Sequence, residues 1–112
     1  MESDAAHAYA WGMRILCSGG FTEEERDRAH AHARLILGSH VQDVICVDLI
    51  SQPDGGGYAV SARATMVSGT RIEHRAWHRH RGDAVELVMR AVRREIGSRG
   101  RVFSRILGAQ LR

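Results

Sequence analysis

The sequence of 112 residues contains two cysteines and no lysine. Cys17 and Cys46 do not form a Cys-x-x-Cys pair, and each lies in an apolar, strand-like segment. This placement predicts small buried core residues and argues against a redox pair, a disulfide or a metal site built on cysteine.

Long apolar runs are also missing. No segment approaches the roughly 20 apolar residues that a membrane-spanning helix needs. The first residues, MESDAAHAYAWG, begin with acidic side chains and have no apolar run behind them, which argues against a secretory signal. The content of 44% apolar and 26% charged residues is that of an ordinary globular domain. We therefore expect a cytoplasmic protein with no membrane partner.

Recognisable catalytic motifs are absent as well. Ser18, Gly19 and Gly20 precede a helix start, but their spacing is not that of a phosphate loop or a dinucleotide site. No serine occupies a nucleophile elbow with histidine and acidic partners. We therefore predict a protein that is not an enzyme and that needs no cofactor.

The basic residues are unevenly distributed. The formal charge is +3, yet residues 71–112 hold eleven arginines against four acidic residues. All 16 basic residues are arginines, which indicates either selection for bidentate phosphate contacts or a genome-wide compositional bias. A basic block of this size predicts a polyanionic partner, and inside a cell the usual one is RNA or DNA.

Hydrophobic periodicity predicts one α+β domain over residues 13–99. A flexible arm is expected at residues 1–12, and a basic tail or short helix at residues 100–112. The predicted order is β-α-β-β-β-α, with two helices packed on one face of a four-stranded sheet. This arrangement buries every apolar stripe and leaves the other sheet face in water.

Start and stop signals define the two helices. Thr22 and Glu25 form a capping box, so the first helix should run from about Phe21 to Leu37. Asp83 is the predicted N-cap of the second helix. Residues at helical spacing form the buried stripe expected for the second helix: Val85, Val88, Met89, Val92 and Ile96.

The stretch RIEHRAWHRHRGD, residues 71–83, combines histidines with arginines. In a strand, His74, His78 and His80 share parity and could converge on a metal ion. His74 should point into the core, however, and no cysteine or carboxylate completes the set, which argues against a metal site. The opposite parity places Trp77 among arginines, where it either stacks on a base or packs under the C-terminal tail.

A ridge of arginines follows the second helix. Such a ridge would neutralise several phosphates of a nucleic acid, although a solvated helix face has the same composition. The ridge consists of Arg90, Arg93, Arg94, Arg99, Arg101 and Arg105.

These elements resemble the short ribosome hibernation-promoting factors, also called ribosome-associated inhibitors or sigma-54 modulation proteins. The resemblance covers roughly residues 13–99 and rests on MRILCSGG, TEEER, VQDVICVDLI, the alternating hairpin and GDAVELVMRAVRREI. Asp83 and Val88 match the family's aspartate and isoleucine, and Val85 stands where the family has an aromatic residue. The arginines that match its basic run are Arg90, Arg93, Arg94 and Arg99.

The resemblance implies a fold related to double-stranded-RNA-binding domains and a partner in the rRNA of the small ribosomal subunit. The protein would occupy the mRNA and tRNA channel, contact rRNA through the basic residues of the second helix and silence translation during a stress response. Further candidates for RNA binding, chosen for their charge, are Arg26, Arg28, Arg34, Arg75 and Arg79. The alternative function is a protein interaction module that forms a homodimer through the open sheet face and the tail.

Overall fold

A computed structural model describes the backbone of residues 13–110 and the side chains of residues 13–99. The predicted arm at residues 1–12 lies outside this range. The elements in chain order are β1 (Arg14–Ser18), α1 (Glu23–Leu37), a 3-10 segment (Gly38–Asp43), β2 (Val44–Asp54), β3 (Gly57–Met66), β4 (Arg71–His78) and α2 (Arg81–Gln110). The predicted order β-α-β-β-β-α is therefore confirmed.

The four strands form one sheet in the order β1-β2-β3-β4. β1 pairs with β2 in parallel, and the other two pairs are antiparallel. The β2–β3 hairpin turns through Gly55 and Gly56, which both have positive φ angles, as tight hairpin turns require. Both helices pack on one face of the sheet, as expected, because their apolar stripes belong to the same core as the inward side chains of the strands.

The start of α1 follows the predicted capping box. The backbone amide of Glu25 donates to the Thr22 hydroxyl at 3.1 Å, and the Glu25 carboxylate accepts from the Thr22 amide at 2.9 Å. Gly38 ends the helix with a φ of 55°, a conformation that glycine adopts without strain. The side chains of Ala29, Ala33 and Leu37 are buried.

The second helix supplies the largest share of the core. Every residue of its predicted stripe is buried, from Val85 to Ile96. These side chains meet inward residues of the sheet such as Val47, Val60 and Ile72. Because each side chain removes apolar area from water, this layer supplies the main driving force for folding.

Two element boundaries differ from the sequence prediction. α2 begins at Arg81 because the amide of Ala84 already donates to the carbonyl of His80 at 3.1 Å, so Asp83 lies inside the first turn and does not cap it. The β-branched, mostly apolar residues 41–51 predict a strand that begins at about Val41, but β2 begins at Val44 because the chain after Gly38 continues as a 3-10 helix. Among the described residues, none of the helices is both long and apolar enough to cross a bilayer.

The prediction for the cysteines was half wrong. Cys17 is half-buried and packs against the core. Cys46 lies on the open sheet face, beside the carboxylate of Asp48, because a bulge after Val44 sets the register of β2. Burial raises the pKa of both thiols, so both favour the neutral, unreactive form.

Candidate nucleic-acid interface

An open groove of about 680 Å³ lies between the two helices, on the side of the protein away from the sheet. α1 and the 3-10 segment form one wall, and α2 forms the other. The lining residues are His32, Leu35, Ile36, His40, Glu86, Arg90, Arg93, Arg94 and Gly97. The first three arginines of the predicted ridge therefore line one groove.

The three groove arginines differ in whether a neighbouring carboxylate balances their charge. Arg90 lies 3.4 Å from the carboxylate of Glu86, one turn earlier on the same helix. Arg93 and Arg94 are exposed and form no ion pair with any carboxylate of the described residues. Exposed arginines that lack a neighbouring carboxylate keep their full charge for an anionic ligand, and their planar guanidinium groups suit phosphate oxygens.

The opposite wall contributes residues that sequence reasoning missed. His32 lies on α1 and His40 in the 3-10 segment, and both are half-buried. Leu35 is 80% exposed beside them, which is unusual for a large apolar side chain on a packed helix. The sequence signal was weak, because histidines His30 and His32 differ in direction by about 200° and only the fold decides which one faces α2.

The arginines of α1 that were predicted to bind RNA lie on two different sides of the helix. Arg28 lines a small cavity that adjoins the groove at His32, and it pairs with Glu24 at 3.3 Å. Arg26 and Arg34 lie on the flank towards β1, close to His30. Burial and then Arg34 lower the pKa of His30, which favours its neutral form.

The remaining candidates lie outside the groove. Arg99 pairs with Glu95 at 2.6 Å, on the flank of α2 that faces β4. Arg75 belongs to the open sheet face, on the far side of the protein from the groove. Arg79 is exposed just after β4. The side chains of the predicted Arg101 and Arg105 lie beyond the described range. The predicted arginines therefore occupy several surfaces.

The open sheet face combines charge with apolar groups. Asp48, Arg63 and Glu73 lie side by side in one row across β2, β3 and β4, and Arg63 forms an ion pair with Glu73. Trp77 is 51% exposed, and its indole N–H donates to the carbonyl oxygen of Asp54 at 2.8 Å. This hydrogen bond fixes the ring at the β2–β3 turn.

Arg81 forms a junction that the sequence did not reveal. Its guanidinium donates to the Ser51 hydroxyl at 3.0 Å, to the Gly20 carbonyl at 3.1 Å and to the Glu25 carboxylate at 2.6 Å. It also lies 4.4 Å from the ring centre of Tyr58. The side chain is only 13% exposed. It joins the first turn of α2 to α1, to β2 and to the loop between β1 and α1.

The three histidines of residues 71–83 have different partners. His74 is half-buried and lies 2.7 Å from the carboxylate of Glu95 on α2. His78 lies 3.6 Å from Asp83, and its ring is tilted against that of His80. Within the described residues, no three histidine, cysteine or acidic side chains form a set that could hold a metal ion.

Two of the solved structures that share this architecture come from Coxiella burnetii and Thermus thermophilus. A ribosomal subunit interface protein from Coxiella burnetii matches with a TM-score of 0.68 and 12% sequence identity, over 79% of this chain and 96% of its own. The N-terminal domain of Protein Y from Thermus thermophilus matches with a TM-score of 0.60 and 9% identity, over 74% and 91%. This chain has the fold of both proteins.

The fold implied by the resemblance to the hibernation-promoting factors is therefore confirmed. No family model and no curated protein matches the sequence. Sequence identities of 12% and 9% show a shared fold alone, so the ligand of this protein has to be inferred from its own residues.

Proposed function

We propose that this protein is a ribosome-associated factor whose interhelical groove binds rRNA of the small subunit. The observation that carries this proposal is the convergence of Arg90, Arg93 and Arg94 in one open groove. The fold supports it, because one structure with the same architecture is a ribosomal subunit interface protein. The protein acts without catalysis, by occupying the channel of mRNA and tRNA and so silencing translation.

The physics of the groove favours a phosphate backbone. Each arginine that meets a phosphate releases condensed counterions, so affinity falls as salt rises, with a slope of about −0.7 per contact on single-stranded RNA. The apolar wall at Leu35 and Ile36 offers a surface for a ribose or base beside the phosphates. A groove with both features fits a nucleic acid better than a free anion.

Co-sedimentation with purified small subunits across a salt series tests the proposal. Wild-type protein should bind saturably near one copy per subunit. Arg93→Ala combined with Arg94→Ala should weaken binding and reduce the magnitude of the salt slope by about 1.4, since two phosphate contacts are lost. A matched control is Arg14→Ala with Arg71→Ala, because both arginines are exposed on the open sheet face, beside Cys46 and in line with Glu73 respectively.

The control decides between local contacts and overall charge. Both double variants lose the same charge, so equal losses of affinity would mean that net charge, and not the groove, drives binding. Unchanged affinity in the groove variant would show that its arginines do not contact RNA. No sedimentation of the wild-type protein at low salt would rule out the ribosomal role.

The open sheet face favours a second candidate, a homodimer. Leu16, Ile50 and Trp77 are exposed there, and exposed apolar groups on one face mark interaction surfaces. Sedimentation equilibrium should then give a mass that rises with concentration, and Trp77→Ala should suppress the rise. A concentration-independent monomer mass would exclude this candidate.

A further inference from the structure

The groove contains two histidines in addition to its arginines. His32 of α1 and His40 of the 3-10 segment line the wall opposite Arg90, Arg93 and Arg94. Histidine is the side chain that gains its positive charge between about pH 5 and 8. The groove lining therefore holds two side chains of the class that can change charge in this range, beside arginines that stay charged.

The charged groups around the two imidazoles come from both helices. α2 contributes the three arginines and the single carboxylate of Glu86, which already lies beside Arg90. At the far end of the groove, His32 also adjoins Arg28, Glu25 and Arg81, and the last two pair with each other. Two protonated imidazoles would double the excess of positive over negative charge on the groove lining.

We propose that acidification strengthens RNA binding in this groove, because His32 and His40 become additional cationic contacts for the phosphates. The inference rests on the proposed function and concerns the regulation of the same site. A bound phosphate places negative charge next to the imidazoles, and a neighbouring opposite charge favours the protonated form. Phosphate binding and proton binding therefore strengthen each other.

The expected change of RNA affinity with pH is that of two additional ion pairs between phosphates and solvent-accessible imidazoles. Affinity should rise roughly three- to tenfold between pH 7.5 and pH 5.5 at constant ionic strength, given the usual strength of exposed ion pairs. The salt slope should become steeper by about 1.4 at the lower pH if each imidazole meets one phosphate.

The test measures binding of the protein to purified small ribosomal subunits at pH 7.5 and pH 5.5. The variant combines His32→Gln and His40→Gln, since glutamine keeps a polar side chain without the titratable charge. His80→Gln is the matched control, because His80 is exposed and lies between β4 and α2, outside the groove lining. Urea unfolding at both pH values confirms that each variant is folded.

The expected result is a rise in affinity for the wild type and for His80→Gln, and less than a twofold change for the double variant. A rise of the same size in the double variant would overturn the inference. Binding that depends on Arg93 and Arg94 but not on pH would refute the regulation and leave the proposed function intact. Absence of binding at both pH values would refute the proposed function itself.

Discussion

The guanidinium of Arg81 and the carboxylate of Glu25 form an ion pair, with Nη1 and Oε1 2.6 Å apart. The same carboxylate accepts the backbone amide of Thr22 in the capping box of α1. One carboxyl group therefore joins the start of α1 to the start of α2. The pair therefore holds together the N-terminal ends of the two helices that form the groove walls.

Replacing Arg81 should destabilise the fold. Arg81→Ala removes the guanidinium from both the Ser51 hydroxyl and the Glu25 carboxylate, which keeps only the Thr22 amide, and we expect a loss of about 2–3 kcal/mol in the free energy of unfolding. Arg81→Lys keeps the charge but not the fork of donors, and should lose roughly half as much. Urea unfolding measures both values.

A surface arginine provides the control for this measurement. Arg90→Ala breaks only the exposed pair with Glu86 and should cost less than about 0.5 kcal/mol. Equal effects of Arg81→Ala and Arg90→Ala would show that the junction does not stabilise the fold.

Acid should weaken the same junction. The pKa of the Glu25 carboxyl is lowered chiefly by the hydrogen bond from the Thr22 amide. Desolvation raises this pKa, but the hydrogen bond and Arg81 together outweigh it. A carboxyl whose pKa is lower when folded contributes stability above its unfolded pKa of about 4.3, and loses that contribution as pH falls through the folded value. Glu25→Gln should therefore reduce stability at pH 7, with a difference that narrows below about pH 4.3.

Thermal unfolding between pH 7 and pH 3 measures this dependence. Glu24→Gln is the control, because Glu24 is 83% exposed in the same helical turn and, among the described side chains, pairs with Arg28 alone. A difference between wild type and Glu25→Gln that stays constant down to pH 3 would contradict the assignment.

Gly19 should tolerate no side chain. Its φ of 96° disfavours any other residue, and a Cβ atom would overlap the carbonyl oxygen of Ser51 in β2. Gly19→Ala should cost more than about 2 kcal/mol, since both strain and a backbone clash must be relieved. Gly55→Ala, at a φ of 53° with open space around it, should cost only about 1 kcal/mol. Equal costs in chemical unfolding would remove the close approach as an explanation.

Two arginines of α2 should differ in their effect on binding. Arg90 lines the groove, whereas Arg99 is held by Glu95 on the flank towards β4. Arg90→Ala should weaken binding to small subunits and reduce the magnitude of the salt slope by about 0.7, and Arg99→Ala should leave both nearly unchanged. The reverse order of effects would place the RNA on the other flank of α2.

The sequence alone determined the order of elements, because local signals specify each one. Thr22 with Glu25 marks the start of α1, Gly38 marks its end, and alternation of apolar residues marks β3 and β4. Burial of the stripe from Val85 to Ile96 was likewise predicted, since helical spacing places those side chains on one face.

Only the tertiary structure decided which charged residues act together. Arg93 and Arg99 lie six positions apart in α2 and face different elements, because α2 packs against α1 on one side and β4 on the other. Arg81 finds its hydrogen-bond partners 30 to 61 positions away in the chain, beyond the reach of any local pattern. Periodicity gives the direction of a side chain relative to its own helix or strand, and packing alone gives the surface that it meets.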